Sequence, residues 1–83
     1  MTMDGLAVGV AARIIAVDWS VLALDEAKRL QALGFDDGAQ FTIAHRGVLA
    51  GQDPIALRLG NMTIAIRRSH AQAVSVETVS AAA

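Results

Sequence analysis

The 83-residue sequence contains no cysteine, no tyrosine and only one proline. Without cysteine, the chain cannot form a disulfide, a thiolate metal site or a cysteine nucleophile. A small chain that lacks disulfides is typical of a reducing compartment, so we expect a cytoplasmic protein. The apolar run from Leu6 to Ala12 is far shorter than the roughly 20 residues that span a bilayer, and the acidic start is unlike a secretory signal.

Excess charge of either sign is also missing. Seven basic and eight acidic residues give a formal net charge of −1. Proteins dedicated to nucleic acids or to anionic membranes normally show a strong basic excess, so we expect neither partner. The length suffices for one domain and is too short for two.

The pattern of apolar and polar side chains predicts two strands before residue 47. Residues 39–46 alternate between apolar and polar, which predicts a half-buried strand. Phe41, Ile43 and His45 fall on its apolar face, so His45 is expected to pack at the rim of the core. Residues 9–17 are mostly apolar on both faces, which fits a strand that is covered on both sides or one that bends between two sheets.

A β-hairpin is the strongest local signal in the sequence. Residues 55–59 and 62–66 both alternate, and the intervening Gly60 and Asn61 suit the primed turns of tight hairpins. Pro54 is expected to open the first of these strands, because it has no N–H to give to a sheet ladder.

Residues 21–33 show the periodicity of an α-helix. Between positions 27 and 33 an apolar side chain recurs at every third residue and forms one stripe. Gly34 follows the stripe, where a helix end often requires a left-handed backbone conformation. Ser20 and Leu24-Asp25 are both plausible starts for this helix, and the sequence does not choose between them.

Shorter elements complete the prediction. Residues 69–71 predict one helical turn capped by Ser69, and residues 74–77 predict a final strand before a frayed tail at 80–83. Residues 47–53 predict a loop. Five short strands in a flat sheet would leave both edges unpaired, so we expect the sheet to close into a small barrel.

Several short motifs follow one another in a fixed order along the chain. They are Gly9 with Ile14 and Val17; Arg29-Leu30 with Leu33-Gly34-Phe35 and Gly38; Asp53-Pro54-Ile55; Gly60; Ile64-Ala65-Ile66-Arg67-Arg68 with Ala71; and Val74-Ser75-Val76. In order and spacing they resemble the FeoA family, the small proteins of bacterial ferrous iron uptake. The resemblance predicts a single FeoA-like domain over 1–83, with its core at about 6–77.

The resemblance implies a mainly β fold, namely a small SH3-like β-barrel of about five strands with one α-helix. It implies a cytosolic accessory protein that regulates ferrous iron uptake by contact with the FeoB membrane transporter. An alternative function is a free-standing SH3-like adaptor, or the metal-dependent regulatory domain of a repressor of the diphtheria-toxin-repressor type. Unpaired sheet edges also leave a homodimer open.

Motifs for catalysis and for metal binding are sparse. No glycine-rich phosphate loop precedes a helix, and no serine stands in a nucleophile elbow, so we do not expect an enzyme. His45 and His70 are the best candidate metal ligands, but they belong to separate elements and lack paired spacing. We expect no resident cofactor, and a peripheral zinc or iron ion is the one metal-bound state left open.

Three arginines are the candidate partner-binding residues. Arg29 lies towards the C-terminal end of the predicted helix, and Arg67 and Arg68 follow the predicted hairpin. Arginine is enriched in protein interfaces, although most surface charges simply keep a small domain soluble. Ile15 and Ala56 lie on the outward parity of their strands and are expected to add exposed apolar contacts.

Overall fold

The computed structural model describes residues 1–47 and 53–79. The predicted loop at 47–53 therefore lies partly outside the described residues, and the predicted tail at 80–83 lies entirely outside them. The described elements, in chain order, are a 3₁₀ turn at Met3–Gly5, strand β1 at Ala11–Val17, a 3₁₀ turn at Trp19–Val21, helix α1 at Leu24–Ala32, strand β2 at Gln40–Arg46, strand β3 at Ile55–Leu59, strand β4 at Met62–Ile66, helix α2 at Arg68–Ala71 and strand β5 at Val74–Thr78.

The five strands form one antiparallel sheet in the order β4-β3-β2-β1-β5. The predicted closure into a barrel is wrong, because β4 and β5 are opposite edges that do not pair with each other in the described structure. The N-terminal segment instead covers the outer edge of β5. Thr2 bridges Ser75, and the Val76 N–H donates to the Met1 carbonyl at 2.9 Å.

Two bulges interrupt the alternation of the central strands. One extra residue lies between Ile14 and Ala16 of β1, and another lies between Ile43 and His45 of β2. Each extra residue moves the following side chains to the opposite parity. His45 is consequently exposed rather than packed beside Ile43, which corrects its predicted place at the rim of the core.

The core lies between α1, the N-terminal turn and the inner face of the sheet. Helix α1 contributes Ala27 and Leu30, while Leu33 packs only partly against the core. Gly34 follows at φ +93°, which confirms the left-handed helix end. The largest fully buried side chains are Met3, Ile14, Leu30, Phe35, Ile43, Ile55, Leu57, Ile66, Val74 and Val76.

Three predicted boundaries differ from the structure. Helix α1 begins at Leu24, after a separate 3₁₀ turn, which decides between its two candidate starts. Pro54 precedes β3 instead of opening it. Ser69 lies inside α2, and Arg67 occupies the N-cap position without a side-chain cap of its own. None of the helices among the described residues is long and apolar enough to cross a membrane.

Candidate functional site

The open end of the β3–β4 hairpin meets the start of α2. Here the Asp53 carboxylate Oδ1 accepts a hydrogen bond from the backbone N–H of Arg68 at 2.9 Å. The first N–H groups of a helix have no partner within the helix, so Asp53 satisfies one of them from a distant part of the chain. We call Asp53, Pro54, Arg67 and Arg68 the hairpin corner.

An open cavity of about 310 Å³ lies at the hairpin corner, lined by Asp53, Pro54 and Arg67. Arg67 is exposed, and it forms no ion pair with any residue that the structure describes. Its guanidinium can therefore meet an external carboxylate without first giving up an internal one. A proline ring beside a free guanidinium offers both apolar and charged contact, which suits a protein partner.

Arg29 is engaged within its own helix. Its Nη2 lies 2.6 Å from Oε1 of Glu26, one turn earlier in α1. The hydrogen bond from Arg29 is the main cause of the lowered pKa of Glu26, and the positive field of Arg29 and His70 adds to it. The pKa of Arg29 is raised by the same hydrogen bond. Arg29 is thus less free to bind a partner than Arg67.

The structure brings Arg67 and Arg68 together at the hairpin corner but places Arg29 on another element. The hydrogen bond of Asp53 was missed from the sequence, where Asp53 ended the predicted loop and began the Asp53-Pro54-Ile55 motif. Nothing in the sequence pattern pairs it with a backbone group 15 residues away.

Exposed apolar side chains agree only partly with the sequence prediction. Ile15 is 52% exposed, as expected from its parity. Ala56 is only 6% exposed, which corrects its predicted outward contact. Its neighbours Ile55 and Leu57 are fully buried as well, so the first half of β3 is covered on both faces. Leu24, at 71% exposed, is an apolar surface residue that the sequence did not single out.

The two histidines are not brought into a metal centre by the described residues. His45 is exposed on β2, and His70 is half-buried in α2. No group of three or more histidine, aspartate or glutamate side chains within residues 1–47 and 53–79 could hold a metal ion. A tightly held zinc ion requires such convergence of three or four ligands.

Several solved structures are similar to this chain in fold. The FeoA protein of Chlorobium tepidum is 25% identical over 96% of this chain and 71% of its own, with a TM-score of 0.83. The zinc complex of Stenotrophomonas maltophilia FeoA, a prokaryotic SH3 domain protein, is 29% identical over 93% of this chain and 89% of its own, with a TM-score of 0.71. The IdeR protein of T. acidophilum is 19% identical over 95% of this chain and 34% of its own, with a TM-score of 0.76, and shows the fold alone.

Comparison with curated proteins gives no match. The family model of the FeoA domain, in contrast, matches residues 1–78. That match covers both edges of the sheet, α1 and the hairpin corner, and it confirms the family that the ordered motifs indicated. The chain belongs to the FeoA family.

Proposed function

We propose that this protein is a non-catalytic accessory protein of bacterial ferrous iron uptake, and that it acts on the cytosolic side by binding the FeoB transporter. The observation that carries the proposal is the match to the FeoA domain over residues 1–78. The S. maltophilia relative was solved as a candidate activating factor of ferrous iron transport, which supports the same role here.

The hairpin corner is the docking surface that we assign to this function. Arg67 is exposed beside an open cavity and has no ion-pair partner among the described residues. The hydrogen bond from Arg68 to Asp53 fixes the backbone on which Arg67 stands. A fixed backbone reduces the entropy that is lost when a partner binds, so Arg67 is better prepared for binding than an arginine on a mobile loop.

Direct binding measurements test the proposal. Full-length FeoB in nanodiscs, and its isolated cytosolic portion, would be immobilised and titrated with this protein by biolayer interferometry. We expect micromolar binding or tighter, and we expect Arg67→Ala to weaken it by about tenfold, because arginine is enriched among the few interface residues that carry most of the binding energy. If neither form of FeoB binds the wild-type protein, the proposed function fails.

Arg58→Ala is the matched control for Arg67→Ala. Arg58 is also exposed and also lacks an ion pair among the described residues, but it lies towards the turn end of the hairpin. Its removal should change the dissociation constant less than twofold. Equal losses from both variants would indicate general electrostatic attraction and not docking at the hairpin corner.

The alternative function, a metal-dependent regulatory or adaptor domain, is separated by the same assay. The likeness to IdeR is at 19% identity and concerns the fold. Binding to the DNA-binding domain of a metal-dependent repressor, together with failure to bind FeoB, would favour the alternative over the proposed function.

A further inference from the structure

The two edge strands of the sheet, β5 and β4, differ in how their outer edges are covered. The outer edge of β5 is covered by the N-terminal segment through the Thr2–Ser75 bridge and the hydrogen bond from Val76 to Met1. No described residue covers the outer edge of β4 in this way. Exposed edges in soluble proteins are commonly protected by charge, proline, bulges or a covering segment.

Strand β4 has none of these protections within residues 1–47 and 53–79. Its sequence, Met62-Thr63-Ile64-Ala65-Ile66, has no charge, no proline and no glycine. It pairs with β3 over its full length without a bulge, from Leu59–Met62 to Ile55–Ile66. A regular and uncharged edge of this kind is suited to pairing with another strand.

The hydrogen-bonding pattern of the hairpin determines which backbone groups of β4 point away from β3. Leu59 and Met62 flank a two-residue turn and form the first hydrogen-bonded pair, and such pairs alternate along an antiparallel ladder. Met62, Ile64 and Ile66 therefore bond inward to β3. The N–H and C=O groups of Thr63 and Ala65 point outward, and the described structure gives them no backbone partner.

We propose that β4 pairs antiparallel with β4 of a second copy of this chain, about a two-fold axis through Ile64. This register overlaps all five residues and places the outward groups of Thr63 against those of Ala65 in the other copy. It is the two-fold register of greatest overlap in which outward groups meet outward groups. Other allowed two-fold registers lose overlapping residues.

The side chains in this register are compatible as cross-strand neighbours. On the inner face Ile64 meets its own counterpart, and Met62, which is 38% exposed, meets Ile66. On the outer face Thr63 meets Ala65, and beyond the strand Arg67 lies opposite Asn61. No like charges oppose each other, which removes the usual barrier to self-pairing. The pairing creates one continuous ten-stranded sheet and does not depend on the proposed function.

The expected dimer is weak. Five residues a side bury much less than the roughly 1,200 Å² of the smallest standard interfaces, so the contact belongs to the transient class. Sedimentation equilibrium of the full chain should show a shift from monomer to dimer between about 10 μM and 1 mM. Amide hydrogen exchange at both concentrations gives the site. Thr63 and Ala65 should become protected at high concentration, whereas Ile64 should be protected at both.

Ala65→Pro removes an outward N–H without removing a bond to β3, and proline is tolerated on edge strands. It should abolish the association, while Ala65→Val, which keeps the N–H, should retain it. Thr63→Lys covers the case in which the proline variant fails to fold. It places two like charges on diagonal positions about 7–8 Å apart across the two-fold axis and should weaken the association several-fold.

Three results would overturn the proposal. The first is a protein that stays monomeric up to millimolar concentration. The second is association that Ala65→Pro and Thr63→Lys leave unchanged, which would place the contact elsewhere. The third is protection of Thr63 and Ala65 only when FeoB is added, which would assign the β4 edge to a strand of that protein.

Discussion

Asp53 and Arg68 are joined by a hydrogen bond that ties the entrance of β3 to the first turn of α2. The bond runs from the Arg68 backbone N–H to the Asp53 carboxylate, at 2.9 Å. Because β3 and β4 are already joined by the turn at residues 60–61, this second tie fixes the open end of the hairpin. The ladder between β3 and β4 is therefore held at both ends.

Removal of this tie should lower stability by a measurable amount. Asp53→Ala leaves the Arg68 N–H without its side-chain acceptor, a loss comparable to that of a helix cap, about 1 kcal/mol. For a domain of this size the melting temperature should fall by roughly 4–8 °C in calorimetry. Asp53→Asn keeps a side-chain oxygen and should lose much less. Equal losses for both variants would mean that the charge, and not the acceptor, stabilises the corner.

Gly34→Ala should destabilise the end of α1. Gly34 has φ +93°, and a Cβ there would lie 4.0 Å from Leu59 Cδ2, so space is adequate and the cost comes from the backbone. Left-handed backbone costs a non-glycine residue roughly 1–2 kcal/mol. Urea denaturation measures this loss directly. Gly5→Ala is the matched control, since its φ is not positive and nothing lies within 4 Å of a Cβ there.

Features of the fold that depend on neighbouring residues were predicted better than features that depend on contacts between distant segments. The two strands of the hairpin form at 55–59 and 62–66, where alternation predicted them and Gly60 allows the turn, although Pro54 lies outside β3. The parity of His45 was wrong because the bulge before it has no composition signal. A bulge reflects how a strand fits its partners, and a single strand does not record it.

Deletion of Met1 and Thr2 should expose the outer edge of β5. The Val76 N–H would lose its bond to the Met1 carbonyl, which contributes on the order of 1 kcal/mol. Amide exchange at Val76 should accelerate, whereas exchange at Ile14, whose N–H donates to Ala39, should change little. An unchanged rate at Val76 would show that the N-terminal segment does not protect this edge.

The Glu26–Arg29 pair should give a small pH dependence of stability. The pKa of Glu26 is lowered in the folded protein, chiefly by the hydrogen bond from Arg29. Its contribution is therefore complete above the unfolded pKa of about 4.3 and is lost as the pH falls through the lower folded value. The pair is partly exposed, so we expect only about 0.3–0.5 kcal/mol. Glu26→Gln should remove this dependence in urea titrations between pH 7 and pH 3.

Zinc or ferrous ions should change the thermal stability very little. The described residues contain no group of three metal-binding side chains, so metal binding should not couple to folding. Scanning calorimetry with and without each ion measures the shift. A large metal-dependent rise in melting temperature that disappears in His45→Ala or His70→Ala would contradict this expectation.

The candidate site was less predictable than the fold. The sequence indicated Arg67 as a surface cation near a strand end, and the structure places it there beside Pro54. It did not reveal that Arg29 is occupied by Glu26, because Leu-rich periodicity reports the buried face of a helix and not its surface pairs. The role of Asp53 required the three-dimensional approach of segments that are distant in sequence.

The position of β1 inside the sheet has a consequence for biosynthesis. Its two neighbours are β2 and the last strand, β5, and the ion pair between Arg13 and Glu77 spans 64 positions of the chain. As the chain leaves the ribosome, β1 emerges first, but its second neighbour emerges last. The five-stranded sheet is completed only after residues 74–78 have been made, and long-range pairings of this kind are slow to form. Loss of residues 74–78 from the nascent chain would leave one side of β1 without its strand partner.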